Sequence, residues 1–310
     1  MTSSAGGYPA WTDDTFWIVR GAGERTTQLC YELIARIVPE ERITLIEERP
    51  FTKAIRKTLE LGAASGQTWT VVIDADVLID PPGWKQLLAA ARQQPADVYC
   101  VQGMTVDKFI PILRPVGTGA YRSKLMPLGL PGIPEPGASL RPESTTVEYI
   151  FAQGYRRYRT PYRLGLHDTE QSYADILRKT FLHRAKHANV AAEMKDYWQT
   201  HRRADPDYRV ALLGAAECER YDATIEVDRD FQRERFAEIL RHEGLTEKPP
   251  LDLTAEHATR VRAAVAGFAP VENIQRRKFP EFDRFTYSDD APPQPSLIHR
   301  AVGRLARMFR

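Results

Sequence analysis

Two carboxylates stand one residue apart in the stretch WTVVIDADVLIDPP, Asp74 and Asp76, directly after one of the most apolar runs of the chain. Alternate residues of a strand point to one face, so the pair projects the same way, roughly 7 Å apart along an extended backbone. Like charges placed together repel, and burying them is costly. A divalent cation held between the acids and a bound phosphate offsets that cost, and hard oxygen ligands suit Mg²⁺ or Mn²⁺. In open parallel sheets ligands gather beyond the carboxyl ends of the strands, which is where this run delivers its acids. The plain alternative is that the two acids only cap a turn before the next helix.

The elements that must hold this pair follow from periodicity. Short apolar runs alternate with segments of helical period between Thr15 and Val101, the βαβα pattern of a mainly parallel sheet covered by helices. Strands are expected at Phe16 to Arg20, Arg42 to Glu48, Trp69 to Asp74 and Ala96 to Gly103. Helices are expected at Arg25 to Ile37, closed by Pro39, and at Phe51 to Leu61, stopped by Gly62. A further helix starts at Pro81 and Pro82, with Asp80 as its cap. From Met104 to Gly165 the alternation fails and prolines and glycines are frequent, so long loops are expected, which inside a compact domain are usually functional. Beyond Asp168 the signal is helical, with Asp168 and Gln171 as a capping-box variant and Tyr173, Ile176, Leu177 and Phe181 at helical spacing. Helices are expected at Pro206 to Tyr221, Phe231 to His242 and Ala255 to Phe268, with one weak strand at Ala223 to Val227.

Composition bounds the rest. The 310 residues suit one catalytic-sized domain with a smaller appended unit. With 43 Lys and Arg against 41 Asp and Glu, no overall basic footprint points to nucleic acid. Cys30, Cys100 and Cys218 are odd in number and widely spaced, which fits reduced thiols better than disulfides or a metal clip. Neither a leader nor a membrane span is legible, so a cytoplasmic protein is expected, one that sits peripherally on the inner face of the membrane if its C-terminus binds lipid.

A strand ending in DxD, third in a βαβα series and followed by a proline-started helix, resembles the nucleotide-sugar-binding half of GT-A fold glycosyltransferases. The segment GLHDTEQSYADILRK, Gly165 to Lys179, looks like the histidine-containing segment of family-2-like bacterial enzymes of surface polysaccharide and lipopolysaccharide assembly. The likeness spans Thr15 to His187. It implies a Rossmann-like α/β fold, a nucleotide-sugar donor, and a glycan or lipid-linked glycan acceptor. It further implies that Asp76 binds the cation, that Asp74 contacts the ribose or the metal through water, and that His167 is the third protein ligand. An imidazole beside carboxylates favours Mn²⁺ a little over Mg²⁺. His167 just outside a helix, with no ligand role, is the plainer reading, and Asp168 reads mainly as the cap.

The other donor positions implied are Arg20, Gly21, Glu47 and Glu48 at the ends of the first two strands, and Arg25 at the first helix, whose positive end could meet a diphosphate. Lys53 and Arg56 are further phosphate candidates, and GTGAYR supplies Tyr121 and Arg122. Each of these could equally be an ordinary surface or loop residue. An inverting transferase needs a carboxylate near the acceptor hydroxyl. Glu143 and Glu148 are the candidates. Glu143 is preferred because Thr145 and Glu148 form a capping box, and Asp107 is a third. For a retaining enzyme Glu143 would bind sugar instead.

The expected units are 1–187 (nucleotide-sugar-binding and catalytic), 188–287 (helical), 288–296 (linker) and 297–310, a basic amphipathic helix. In the last, Leu297, Ile298, Val302 and Leu305 oppose Arg300, Arg304, Arg307 and Arg310, a pattern suited to an anionic membrane surface or to docking on its own protein. Two other functions fit less of this. A haloacid-dehalogenase-type phosphatase also carries DxD, but on its first strand. A non-catalytic nucleotide-binding or membrane-tethering module would show no turnover.

Overall fold

The computed structural model describes residues 7–254 and 256–279. The linker and basic helix expected at 288–296 and 297–310 lie outside the described residues.

The chain forms an α/β sandwich on an eight-stranded sheet ordered β2-β1-β3-β7-β5-β8-β4, with β6 paired to β5. The strands are β1 (Thr15–Arg20), β2 (Ile43–Ile46), β3 (Trp69–Asp74), β4 (Val77–Ile79), β5 (Val98–Asp107), β6 (Leu113–Arg114), β7 (Gly119–Arg122) and β8 (Arg156–His167). The helices are α1 (Thr27–Ala35), α2 (Phe51–Ala64), α3 (Pro81–Arg92), α4 (Pro142–Ala152), α5 (Tyr173–Lys186), α6 (Ala191–His201), α7 (Pro206–Arg220), α8 (Arg233–His242), α9 (His257–Gly267) and α10 (Glu272–Lys278). Strands β2, β1 and β3 run parallel, β7 is antiparallel to both β3 and β5, and the long β8 returns parallel to β5. This is the Rossmann-like α/β class expected, parallel in its first half and mixed in its second.

The apolar runs of the central strands are buried on both faces. Trp17 and Val19 pack with Leu33 of α1 and Trp84 and Leu87 of α3 on one face. Ile18 meets Ala54 of α2, and Val72 meets Leu59 of α2 and Ile150 of α4, on the other. A period of two therefore survives in the packing although every residue is apolar. A separate apolar cluster gathers α5 to α8 and α10 around Phe109, Ile110 and Ile112. Polar contacts bind it to the sheet edge: Lys108 reaches Asp207 at 2.6 Å, Trp198 Nε1 donates to the Phe109 carbonyl, and the Gln275 side chain bonds both backbone groups of Leu113.

Several expectations need correction. Gly62 does not stop α2, which runs on to Ala64; a Cβ there would lie 2.3 Å from Met126 Sδ, so the helix packs closely at this glycine. The region from Met104 to Gly165 is half of the sheet rather than long loops, since β7 and β8 pair through polar, arginine-rich sequence that carries no apolar period. The stretch Ala223 to Val227 forms no strand. Thr145 and Glu148 are no capping box, because α4 starts at Pro142 and Thr145 lies inside it. Asp168 does not cap α5; Ser172 does, accepting from the Asp175 backbone N–H. The three cysteines are free, and Cys30 and Cys100 are buried. Among the described residues no helix is long and apolar enough to cross a membrane.

Candidate active site

A cavity of about 450 Å³ opens at the carboxyl ends of β1 and β3 and extends along β8. Asp74 ends β3, and the chain turns through Ala75 and Asp76 into β4, which pairs Val77 with His167. On its other side β8 pairs His167 with Asp107. The imidazole is therefore flanked by acids from two neighbouring strands, a consequence of register alone. Gly165 permits this join: its φ is +153°, and a Cβ would lie 2.1 Å from the Leu78 carbonyl oxygen. Asp168 follows with φ 60°, a left-handed conformation Asp tolerates, and its N–H donates to the Asp76 carbonyl.

At the floor, Asp107 Oδ2 lies 2.7 Å from His167 Nδ1 and 2.6 Å from Arg114. This leaves His167 Nε2 directed at Asp76 Oδ1, 3.7 Å away. The Lys179 ammonium sits 2.5 Å from both Asp76 Oδ2 and Asp168 Oδ1. The second oxygens, Asp76 Oδ1 and Asp168 Oδ2, are buried without a hydrogen-bond partner. Burial opposes ionisation of Asp76, but Lys179 and then His167 hold its carboxyl below the usual range. His167 is shifted up: burial disfavours its charge, and Asp168, Asp76 and Asp107 outweigh that.

These residues fit a metal ion. Asp76, His167 and Asp168 each offer one donor atom, all within 4.8 Å of one another. Two of the carboxylate oxygens have no hydrogen-bond partner and face His167, at 3.7 Å for Asp76 Oδ1 and 3.3 Å for Asp168 Oδ2, and Asp107 holds the far imidazole nitrogen, the arrangement that orients a ligating histidine. Lys179 supplies positive charge to the same two carboxylates from the other side.

Asp74 has its own counterion. Arg20, its side chain 3% exposed, reaches Asp74 at 2.7 Å and Glu143 at 2.8 Å and donates to the Gly117 carbonyl. Burial pushes Asp74 up, Arg20 opposes, and Asp76 and Glu143 add to the rise. Gly117 closes this knot: a Cβ there would lie 2.4 Å from Glu143 Oε2 and 3.0 Å from Asp74 Oδ2.

The lining also carries basic groups, Arg141, Arg157, Arg178 and Lys186. Burial pulls the Lys186 ammonium down to about 7, and Arg178, Arg141 and Arg114 add to the fall. His187 is buried, and burial with the neighbouring His183 lowers it too.

Of the residues singled out from the sequence, the structure brings Arg20, Gly21, Glu48, Asp74, Asp76, Tyr121, Glu143 and His167 to this cavity. Others lie outside its lining. Arg122 sits on the opposite sheet face, 4.5 Å over the Trp69 ring and bonded to the Gln94 and Pro95 carbonyls. Arg25 donates to the Pro249 carbonyl. Glu47, Lys53, Arg56 and Glu148 are exposed away from the lining. Asp107 supports His167 and Arg114 rather than facing the cavity.

Sequence reasoning missed Lys179 and the ligand role open to Asp168. A signal existed: Asp175, Lys179, His183 and Lys186 recur at helical spacing on α5, a polar stripe beside the apolar one. Three of the four are buried, and buried charges at such spacing demand partners.

No protein-family profile and no curated protein matches this chain. Among solved structures, it is similar to a glycosyltransferase involved in glycosylation of the major capsid of PBCV-1, at 13% identity and TM-score 0.34, over 47% of this chain and 82% of that one. It is also similar to the mannosyltransferase PcManGT from Pyrobaculum calidifontis, solved with GDP-Man and Mn²⁺, at 16% identity and TM-score 0.38, over 74% and 79%. Likenesses this loose leave the chemistry to the geometry of the site itself.

Proposed function

We propose that this protein is a metal-dependent glycosyltransferase that moves a sugar from a nucleotide-sugar donor to a glycan or lipid-linked glycan in bacterial surface polysaccharide assembly. The observation that carries the reading is the convergence of Asp76, His167 and Asp168 at the strand ends, with two buried carboxylate oxygens that have no hydrogen-bond partner. A bound Mn²⁺ or Mg²⁺ would supply positive charge against the departing diphosphate. Asp107 fixes the imidazole, Lys179 neutralises the remaining acid oxygens, and Arg20 holds Asp74 toward the donor side.

Glu143 is the preferred carboxylate to take the proton of an acceptor hydroxyl, and its position in the cavity lining, which Glu148 does not share, supports that choice. Its oxygen bonded to Arg20 is occupied, so the other oxygen would receive the proton. The test is a screen of nucleotide sugars for Mn²⁺-dependent hydrolysis and transfer. Turnover lost on chelation and in Asp76→Asn supports the reading, and an absence of turnover with every donor sinks it.

One observation favours a variant. Lys179 already bridges Asp76 and Asp168, so its ammonium could serve as the fixed cation. Turnover that survives chelation but is lost in Lys179→Met would select that version.

A further inference from the structure

The cavity carries more positive charge than its acids can use. Asp74 is matched by Arg20, Asp76 and Asp168 by Lys179, and Asp107 by Arg114. Besides them, Arg141, Arg178 and Lys186 line the same space, and none forms an ion pair with a carboxylate among the described residues. The Arg141 guanidinium donates to the Lys186 carbonyl, and that of Arg178 to the Val227 carbonyl. Arg178 and Lys186 are half-buried and Arg141 is exposed, and cations crowded together in a partly dry cavity are unfavourable unless an anion joins them. One further polar atom waits there: His187, 3% exposed, has a buried Nδ1 without a hydrogen-bond partner.

Position separates this end from the acids. Lys186 and His187 end α5 seven and eight residues beyond Lys179, about 11 Å along the helix axis. A diphosphate held over Asp76 and Lys179 is shorter than that, so an anion at Lys186 belongs to a different part of the substrates.

We propose that the Arg141, Lys186 and His187 end of the cavity is an anion subsite that takes a phosphate group borne by the acceptor, separate from the donor's diphosphate at Asp76. The subsite rests on the transferase reading for the word acceptor, though not for the anion. Guanidinium and ammonium groups together suit a phosphate, the first by its fork of donors and the second as a point charge. The phosphate would belong either to a soluble phosphorylated sugar or to a lipid-linked diphosphate.

The experiment is calorimetric titration of methyl phosphate into the full chain saturated with Mn²⁺ and UDP, and in a parallel run GDP. The expected result is one site, weakened at least tenfold by Lys186→Met combined with Arg141→Gln, restored toward wild type by Lys186→Arg, with nucleoside diphosphate affinity within twofold throughout. Absence of methyl phosphate binding to the wild type overturns the subsite. So does an equal loss of nucleoside diphosphate affinity in the double variant, which would assign the cluster to the donor. If neither nucleotide binds, the transferase reading fails, and titration of methyl phosphate into the protein alone still decides the anion site. Competition by glucose 6-phosphate or by a polyprenyl diphosphate in micelles identifies the source, and competition by neither overturns the assignment to an acceptor.

Discussion

The two ends of the cavity are built on opposite principles. At the Asp76 end each acid faces a cation within 2.5 to 2.8 Å, from Lys179, Arg20 or Arg114. At the Lys186 end cations face cations, and the ammonium is held down to about 7. Matched charges in a partly dry site hold geometry, because each removal strands a buried partner. Unmatched charges cost stability and repay it only when a ligand arrives. The first end has the character of machinery, the second of a receptor.

Breaking the matched end should have the largest effect. Asp76→Asn is expected to lower nucleotide-sugar turnover about 10³-fold, the size associated with losing one preorganised charge contact, with a far-ultraviolet spectrum like that of wild type. Lys179→Met strands Asp76 and Asp168 together and should cost about 3–5 kcal/mol of stability in urea unfolding. Excess Mn²⁺ should recover more of that loss than it adds to wild type, and an equal response would argue against a metal at these acids. Gly117→Ala drives a Cβ toward Glu143, Arg20 and Asp74 and should cost about 1–3 kcal/mol by overpacking.

The unmatched end should respond with the opposite sign. The Lys186 ammonium titrates near 7 in the folded protein against an ordinary 10.5. The unfolded chain therefore binds more protons between those values, and wild-type stability rises with pH across the window. The penalty is complete below about 7 and gone above about 10.5. Lys186→Met should stabilise the protein at pH 6 by on the order of 1 kcal/mol, less than the full shift because the ammonium reaches solvent in the cavity. That gain should shrink as pH rises. A destabilised variant at pH 6 would mean that the cation is already paired.

Much of the first half of the fold was legible. Strands β1, β2 and β3 and helices α1 to α3 stand within a few residues of their expected places, because strands buried on both faces read as continuous apolar runs and the helices between them keep a 3.6-residue period. The run RRYRTPYRLGLH was illegible as the 12-residue β8. Its arginines face a cavity on one side and α9 on the other, where Arg163 donates to the Val265 and Phe268 carbonyls. Polar lining leaves no apolar period to read. Asp74 and Asp76 stood out as paired acids ending an apolar strand and His167 through a family resemblance of its segment, whereas Asp168 looked like a helix cap because Asp favours caps in general.

Local sequence determined which segments extend, which coil, and that two acids would finish a central strand, since those outcomes depend on side-chain period and on neighbours a few residues away. Tertiary structure alone decided that β8 would set His167 between Asp76 and Asp107, that Lys179 would reach across 103 residues to Asp76, and that Arg141 and Lys186 would share a wall. Those meetings are fixed by strand register and helix docking, which are properties of the whole packed sheet rather than of any window along the chain.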